Sequence, residues 1–213
     1  MSELEQLAQL LEDGNVKSTA ELTQRMIDAG VNPQTVLNDG LIVGMGVVGE
    51  KMRTGEMYLP EVLQSATAMH ASLKILKPLL SKDGVKPLGK ILMGTVKGDV
   101  HDIGKNLVGI LLQGAGFEVV DLGVNVTPAK FIEAINEQHP ALLAISAMLT
   151  TTMLNMKTII EAVNEAGLRS QIKIIVGGAP VSEKFAQEIG ADGYARDAVK
   201  AVEKVKQMLS LAA

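Results

Sequence analysis

The sequence has no cysteine, so disulfides, thiolate zinc sites, iron–sulfur clusters and a cysteine nucleophile are all excluded. Aromatic residues are only 2% of the chain: Tyr58, Tyr194, Phe117, Phe131 and Phe185. A stacking platform for single-stranded nucleic acid needs more aromatic faces than these. Surplus positive charge is missing too, the formal net charge being −4. A phosphate-backbone binder relies on clustered Lys and Arg, so no nucleic acid is expected as a partner. The longest apolar stretches, such as 41–49, fall well short of the roughly 18 residues of a membrane span, and no membrane partner is expected. Residues 1–6 are polar and acidic, with no basic start or apolar run after them to read as a signal peptide. A cytoplasmic protein is the expectation. Histidine is scarce, and His70, His101 and His139 are the candidates for any imidazole chemistry.

What is present suffices for a core: 213 residues, 47% hydrophobic and 21% charged, enough for one large or two small domains. The pattern changes near residue 85. Before it, the periodicity is helical. Leu4, Leu7, Leu10 and Leu11 make a short stripe, and Ser18-Thr19-Ala20-Glu21 reads as a capping box opening a helix that Gly30 ends. Asn32-Pro33 starts a long segment running to about Arg53, Thr54-Gly55 breaks it, and Pro60 opens another helix. In that helix Val62, Ala66, Met69, Leu73, Leu76 and Leu80 form a seam for other helices. Residues 1–82 therefore predict a four-helix bundle, and the polar segment 83–88 a linker.

From 89 to 213 short β-rich runs alternate with amphipathic stretches. The runs are Lys90–Thr95, Phe117–Asp121, Ala141–Ser146, Ile172–Val176 and Gly193–Ala195; helices are expected at Asn106–Ala115, Pro128–Gln138, Thr152–Ala166 and Ala198–Leu209. This is the pattern of an α/β domain with a five-stranded parallel sheet, Rossmann-like in the flavodoxin-like sense. Ligands of such sheets bind at the carboxyl ends of the strands. Three local readings compete for attention. Gly44-Met45-Gly46-Val47-Val48-Gly49 spells a dinucleotide fingerprint, but a helix seam follows it instead of a second strand; close approach of two helices explains the glycines better. The loop from Gly98 to Gly104 resembles a phosphate loop, but has one residue too many between its glycines and lacks the hydroxyl after Lys105. A hydrolytic divalent metal on Asp99, His101 and Asp102 would need further ligands, which His70 and His139 are badly placed to give.

The loops after the strands carry the stronger signal. Gly98, Asp99, Val100, His101, Asp102, Ile103 and Gly104 follow the first strand; Ser146-Ala147-Met148-Leu149-Thr150-Thr151-Thr152 follow the third; Gly177-Gly178 follow the fourth; Tyr194-Ala195 close the set. Asp99-Val100-His101-Asp102-Ile103-Gly104 fit D-x-H-x-x-G, Ser146-Ala147-Met148 stand for S-x-L with Met in place of Leu, and Gly177-Gly178 give G-G. Between these elements lie 41 residues (105–145) and 28 residues (149–176). The set resembles the cobalamin domain of methionine synthase and of methyltransferase corrinoid proteins. Residues 48–63 resemble the helical cap of the same family, with Met52 where methionine synthase has an aromatic residue and Leu59 at the family's leucine.

The resemblance implies a cobalamin cofactor, cycling between a methylcobalamin and a Co(I) corrinoid, with His101 as cobalt ligand in place of the cofactor's own base. It implies a His101–Asp99–Thr152 triad linking proton uptake to cobalt ligation. It also implies a slot for the displaced nucleotide tail past Ser146, Thr150, Gly177 and Gly178. The implied role is methyl carriage in one-carbon metabolism between a substrate-specific methyltransferase and an acceptor methyltransferase using tetrahydrofolate or a thiol, with a reductive activase as third partner. The protein would not complete a cycle alone. An adenosylcobalamin mutase subunit and a cobalamin sensor or storage protein are the alternatives within cobalamin proteins.

Overall fold

The computed structural model describes residues 2–82 and 87–210. The described residues form two compact units, 2–82 and 87 with 113–116, and 88–112 with 117–210. Residues 83–86 of the expected linker lie outside the described residues.

The first unit is helical. It comprises α1 (Glu3–Glu12), α2 (Val16–Asp28), a run of α3 (Pro33–Thr35), a π-helical stretch at Val36–Ile42 and α4 (Val43–Thr54), and then α5 (Leu59–Lys82). Asn32 caps α3 and Pro33 occupies its first turn, where a missing N–H costs nothing. The seam of α5 is inside: Val62, Ala66, Met69, Leu76 and Leu80 are buried, with Leu73 half-buried. Leu7 and Leu11 of α1 are fully buried as well.

Two local expectations are corrected. Ser18 is not a helix cap: α2 starts at Val16, and Asn15 accepts the Ser18 N–H at 3.1 Å. Asn caps as well as Ser does, so the Ser–Glu pair falls inside the helix. The capping box lies at α1, where Glu5 N–H donates to Ser2 Oγ at 3.2 Å and Ser2 N–H to Glu5 Oε2 at 2.7 Å. Secondly, of the three glycines in 44–49 only Gly44 makes a close helix approach; a Cβ there would sit 2.8 Å from the Ala8 carbonyl oxygen of α1. Around Gly46 and Gly49 the space is open.

The second unit is an all-parallel five-stranded sheet: β1 (Lys90–Thr95), β2 (Glu118–Asp121), β3 (Leu142–Ser146), β4 (Lys173–Gly177) and β5 (Gly193–Ala195), in the order β2-β1-β3-β4-β5. Its helices are α6 (Ile103–Gly114), α7 (Pro128–Gln138), α8 (Leu154–Glu165), α9 (Glu183–Glu188) and α10 (Ala198–Met208). The inner strands are buried nearly throughout, as near-continuous apolar runs in a sheet covered on both faces must be. One core cluster gathers Leu92, Leu143, Ile145, Ile174 and Val176 from the strands with Phe131, Met156, Ile159 and Val163 from α7 and α8. Helix α6 begins at Ile103, three residues before the expected start, and α9 was not expected; six residues give too little periodicity to read.

The glycines of α4 give a test of opposite signs. Gly46→Ala removes a flexible residue from an exposed helix position and should stabilise the protein by about 0.5–1 kcal/mol. Gly44→Ala should destabilise it, because the new methyl meets main chain. Urea midpoints of the two variants are expected to move in opposite directions.

Candidate functional site

Strands β1 and β3 are neighbours at the centre of the sheet, and from them the order runs outward to β2 on one side and to β4 and β5 on the other. The crevice at such a reversal point is where open α/β sheets bind ligands. The parallel register places Thr95, Ser146, Gly177 and Ala195 side by side in one row at the carboxyl edge. Three of those four are residues that the sequence singles out; Thr95 is not.

Above that row the loop after β1 carries Asp99 and His101. Asp99 is fully buried and both of its carboxylate oxygens are engaged. Oδ1 lies 2.7 Å from His101 Nδ1 and accepts the His101 N–H at 3.1 Å. Oδ2 accepts the Met148 N–H at 2.8 Å and the Thr152 hydroxyl at 2.6 Å. Burial pushes the Asp99 carboxyl upward, but the bonds from Thr152, the Met148 N–H, the His101 ring and the His101 N–H outweigh it, and hold the group well below the usual carboxylate range. The ionised carboxylate keeps the imidazole proton on Nδ1, so Nε2 is the nitrogen with a free lone pair. The His101 side chain is 50% exposed.

The surroundings of His101 are apolar and open. Val100 and Ile103 are 69% and 73% exposed, and Met148, Leu149 and Leu154 are exposed as well. Exposed apolar side chains concentrated in the loops after β1 and β3 mark a surface suited to an apolar ligand. Gly104 lies in the first turn of α6 with open space around it, and Asp102 is half-buried behind it. After β4, Gly178 (φ +124°) lies so close to the β3 loop that a Cβ would fall 1.8 Å from the Ala147 carbonyl oxygen; no other residue fits there. Gly177 faces the Ala195 carbonyl, Tyr194 packs against the core, and Thr150 is exposed in the turn after β3. Met52 on α4 and Leu59 at the start of α5 are half-buried within the helical unit. His70 lies on α5, and His139 ends α7 with φ +46°. Among the described residues no group of three or more His, Asp or Glu side chains could hold a metal ion. Among the described residues of this rim, the His101 imidazole is the ligand with a free nitrogen and half its side chain exposed. A flat apolar macrocycle with a metal at its centre therefore fits the residues present.

Residues 89–203 match the family model described as B12 binding domain, and residues 3–77 match a second model of the same description. A corrinoid protein of Desulfitobacterium hafniense strain Y51 is 42% identical over 212 residues, covering 98% of each chain. The chain belongs to the family of B12-binding corrinoid proteins. Trimethylamine corrinoid protein 1 of Methanosarcina mazei is 44% identical over 192 residues, covering 89% of each chain. Among solved structures, the methanol:cobalamin methyltransferase complex of Methanosarcina barkeri superposes with a TM-score of 0.89 at 32% identity, covering 98% of this chain and 80% of that one. A cobalamin-binding protein of D. hafniense DCB-2 gives 0.79 at 30% identity, covering 98% and 99%. This corrinoid protein binds cobalamin, as the family model, the relatives and the rim chemistry agree.

Sequence reasoning missed the groups that hold the corrinoid protein's histidine loop in place. Thr95 Oγ1 donates to the His101 carbonyl at 3.1 Å. Asn125, in the loop after β2, accepts the Gly98 N–H on Oδ1 at 2.8 Å and donates its own N–H to the Asp99 carbonyl at 2.9 Å. Asn155 Nδ2 donates to the Lys97 carbonyl at 2.8 Å. Lys105, buried in the first turn of α6, pairs with Asp121 at the end of β2. The one signal available was the buried lysine: a cation one residue past Gly104, in a helix that otherwise reads as apolar, needs a carboxylate.

Two outcomes test this geometry. Because the folded-state pKa of Asp99 is depressed, its ionised form stabilises the fold above the unfolded-state value of about 3.9, and that contribution fades as pH falls below it. Asp99→Asn should therefore be less stable than the native protein at pH 7, with the gap narrowing at pH 3, as read by urea unfolding. Gly178→Ala should lower the thermal midpoint and weaken cobalamin retention, because the β3 and β4 loops must separate to admit the methyl.

Proposed function

We propose that this protein carries a methyl group, on the cobalt of a bound corrinoid, from a donor-specific methyltransferase to an acceptor methyltransferase. Residues 1–82 are assigned as cap domain, 83–88 as linker and 89–213 as cobalamin domain. One observation carries the reading: a half-exposed imidazole whose Nδ1 is tied at 2.7 Å to a buried carboxylate, which leaves Nε2 as the nitrogen available to a metal. The relatives named as trimethylamine and dimethylamine corrinoid proteins, and the methanol:cobalamin methyltransferase complex, support it.

When bound, cobalamin supplies a cobalt centre able to accept and release a methyl group. His101 holds that centre through Nε2, a ligand type suited to such metals. Asp99 keeps the tautomer and the orientation of the ring, as partners of metal-bound histidines do. Thr152 completes the triad by donating to Asp99, and protons entering or leaving this triad adjust how firmly His101 ligates. Val100, Ile103 and Met148 offer apolar cover to the corrin. Gly98, Asp102 and Gly104 shape the loop beneath it. Ser146, Thr150, Gly177 and Gly178, with Tyr194 and Ala195 alongside, receive the nucleotide tail, Ser146 as a hydrogen-bonding group and the glycines by leaving room. Met52 and Leu59 are assigned as the helical unit's apolar contribution to corrinoid binding.

The donor is selected by the partner methyltransferase, whether it serves methylamines, methanol, glycine betaine or aromatic methyl ethers. The acceptor enzyme uses tetrahydrofolate or a thiol, a reductive activase restores the reduced cofactor, and the setting is the cytoplasm. No helix among the described residues is long and apolar enough to cross a membrane.

Reconstitution with hydroxocobalamin tests the ligand. The native protein is expected to give the absorption spectrum of histidine-ligated corrinoid, and His101→Ala is expected to lose it. An unchanged spectrum in His101→Ala would remove the assignment. Methyl transfer from a panel of donors with candidate partner enzymes then identifies the pair served.

A further inference from the structure

The hydrogen bonds around His101 point to two residues with no assigned role. We propose that Thr95 and Asn125 are positioning residues that hold the main chain of 98–101, so that the His101 imidazole is presented at one height and in one direction. The proposal deepens the reading of His101 as cobalt ligand and rests on it.

Thr95 ends β1 and is fully buried. Its hydroxyl donates to the His101 carbonyl at 3.1 Å, and the His101 N–H donates to Asp99 Oδ1 at 3.1 Å. Both main-chain polar groups of His101 are thus held, one by the end of the strand and one by the carboxylate that also holds the ring. Asn125 does the same for the residues just before. It adopts φ +54°, a left-handed conformation that Asn tolerates better than most residues. In that conformation its side chain accepts the Gly98 N–H at 2.8 Å while its N–H reaches the Asp99 carbonyl at 2.9 Å. The attachment continues into the Val96–Val126 bridge and the Val126 N–H bond to the Thr95 carbonyl at 2.9 Å. Gly98 has φ +82° and no side chain, so its turn has little stiffness of its own. Side-chain bonds to Asp99 fix where the carboxylate lies, and the Asp99 N–H reaches the Val96 carbonyl at 3.2 Å. Thr95 and Asn125 hold the groups that these bonds leave over: the Gly98 N–H and the Asp99 and His101 carbonyls.

Thr95→Val keeps the shape and deletes the donor. Asn125→Gly keeps the left-handed backbone and deletes the acceptor. Thr95→Ser and Asn125→Asp restore the groups. In the cofactor-free protein, amide hydrogen exchange at Gly98, Asp99 and His101 is expected to quicken in the two deletion variants and return to native rates in the two conservative ones. After reconstitution with hydroxocobalamin, the deletion variants should retain the corrinoid about tenfold more weakly, the usual order for loss of a group supporting a metal ligand. Reduced to the Co(II) state, they should show a diminished nitrogen coupling in the electron paramagnetic resonance signal, restored in Thr95→Ser and Asn125→Asp. Asn125→Gly, in an exposed loop, carries the test if Thr95→Val does not fold. Native exchange rates and native nitrogen coupling in both deletion variants would overturn the proposal. In that case, loss of the coupling in His101→Ala would leave the ligand assignment standing, whereas absence of the coupling in the native protein would bring down both.

Discussion

A single buried carboxylate organises the carboxyl edge of the sheet. Asp99 has no contact with solvent, yet it is held ionised by four donors. Burying a charge is expensive unless every lone pair finds a partner, and here the partners come from the loop after β1 and the loop after β3. The two loops that flank the crevice are therefore fastened through one charged group. The direction of the imidazole follows from the same requirement: one oxygen serves the His101 ring and N–H, the other serves Met148 and Thr152, and none of these can move without leaving the charge unmet. The ligand geometry and the solvation of Asp99 are one problem with one solution.

Around this point the usual distribution of polar and apolar groups is inverted. Thr95, Asp99, Lys105 and Thr152 are buried, while Val100, Ile103, Met148, Leu149 and Leu154 are exposed. Soluble proteins seldom keep so many large apolar side chains outside and so many polar ones inside at one place. The inversion fits the proposal that this edge receives a broad apolar ligand with a metal at its centre. It is also consistent with the match of this unit to the B12 binding domain.

The parts of this arrangement that were legible in the sequence are those written by local spacing. Asp99 and His101 stood out in a glycine-bracketed loop after a strand, Thr152 was named through the resemblance to corrinoid proteins, and the hydrogen bonds between the three are present. The alternation of strands and helices gave the parallel sheet, and the seam of α5 gave the helical unit. What escaped depends on contacts between distant segments. Asn125 meets Gly98 across 27 positions, and nothing in Gly-Val-Asn-Val-Thr-Pro announces a left-handed residue that reaches back to another loop. Thr95 reads as the unremarked end of a strand, since its hydroxyl has a role only once His101 has turned back over it. The π-helical stretch at Val36–Ile42 has no composition of its own. At α2 the failure was of another kind: two good caps, Asn15 and Ser18, stood three residues apart, and local chemistry alone could not rank them.

The row formed by Thr95, Ser146, Gly177 and Ala195 has a consequence for assembly. Each of its members comes from a different strand, and alternation along a strand means that a slip of one residue turns the neighbouring side chain to that position instead. In β4 such a slip would bring Val176 where Gly177 belongs. A single pair of strands supplies only two members of the row, so the carboxyl edge reaches its full shape only when four strands lie in correct register.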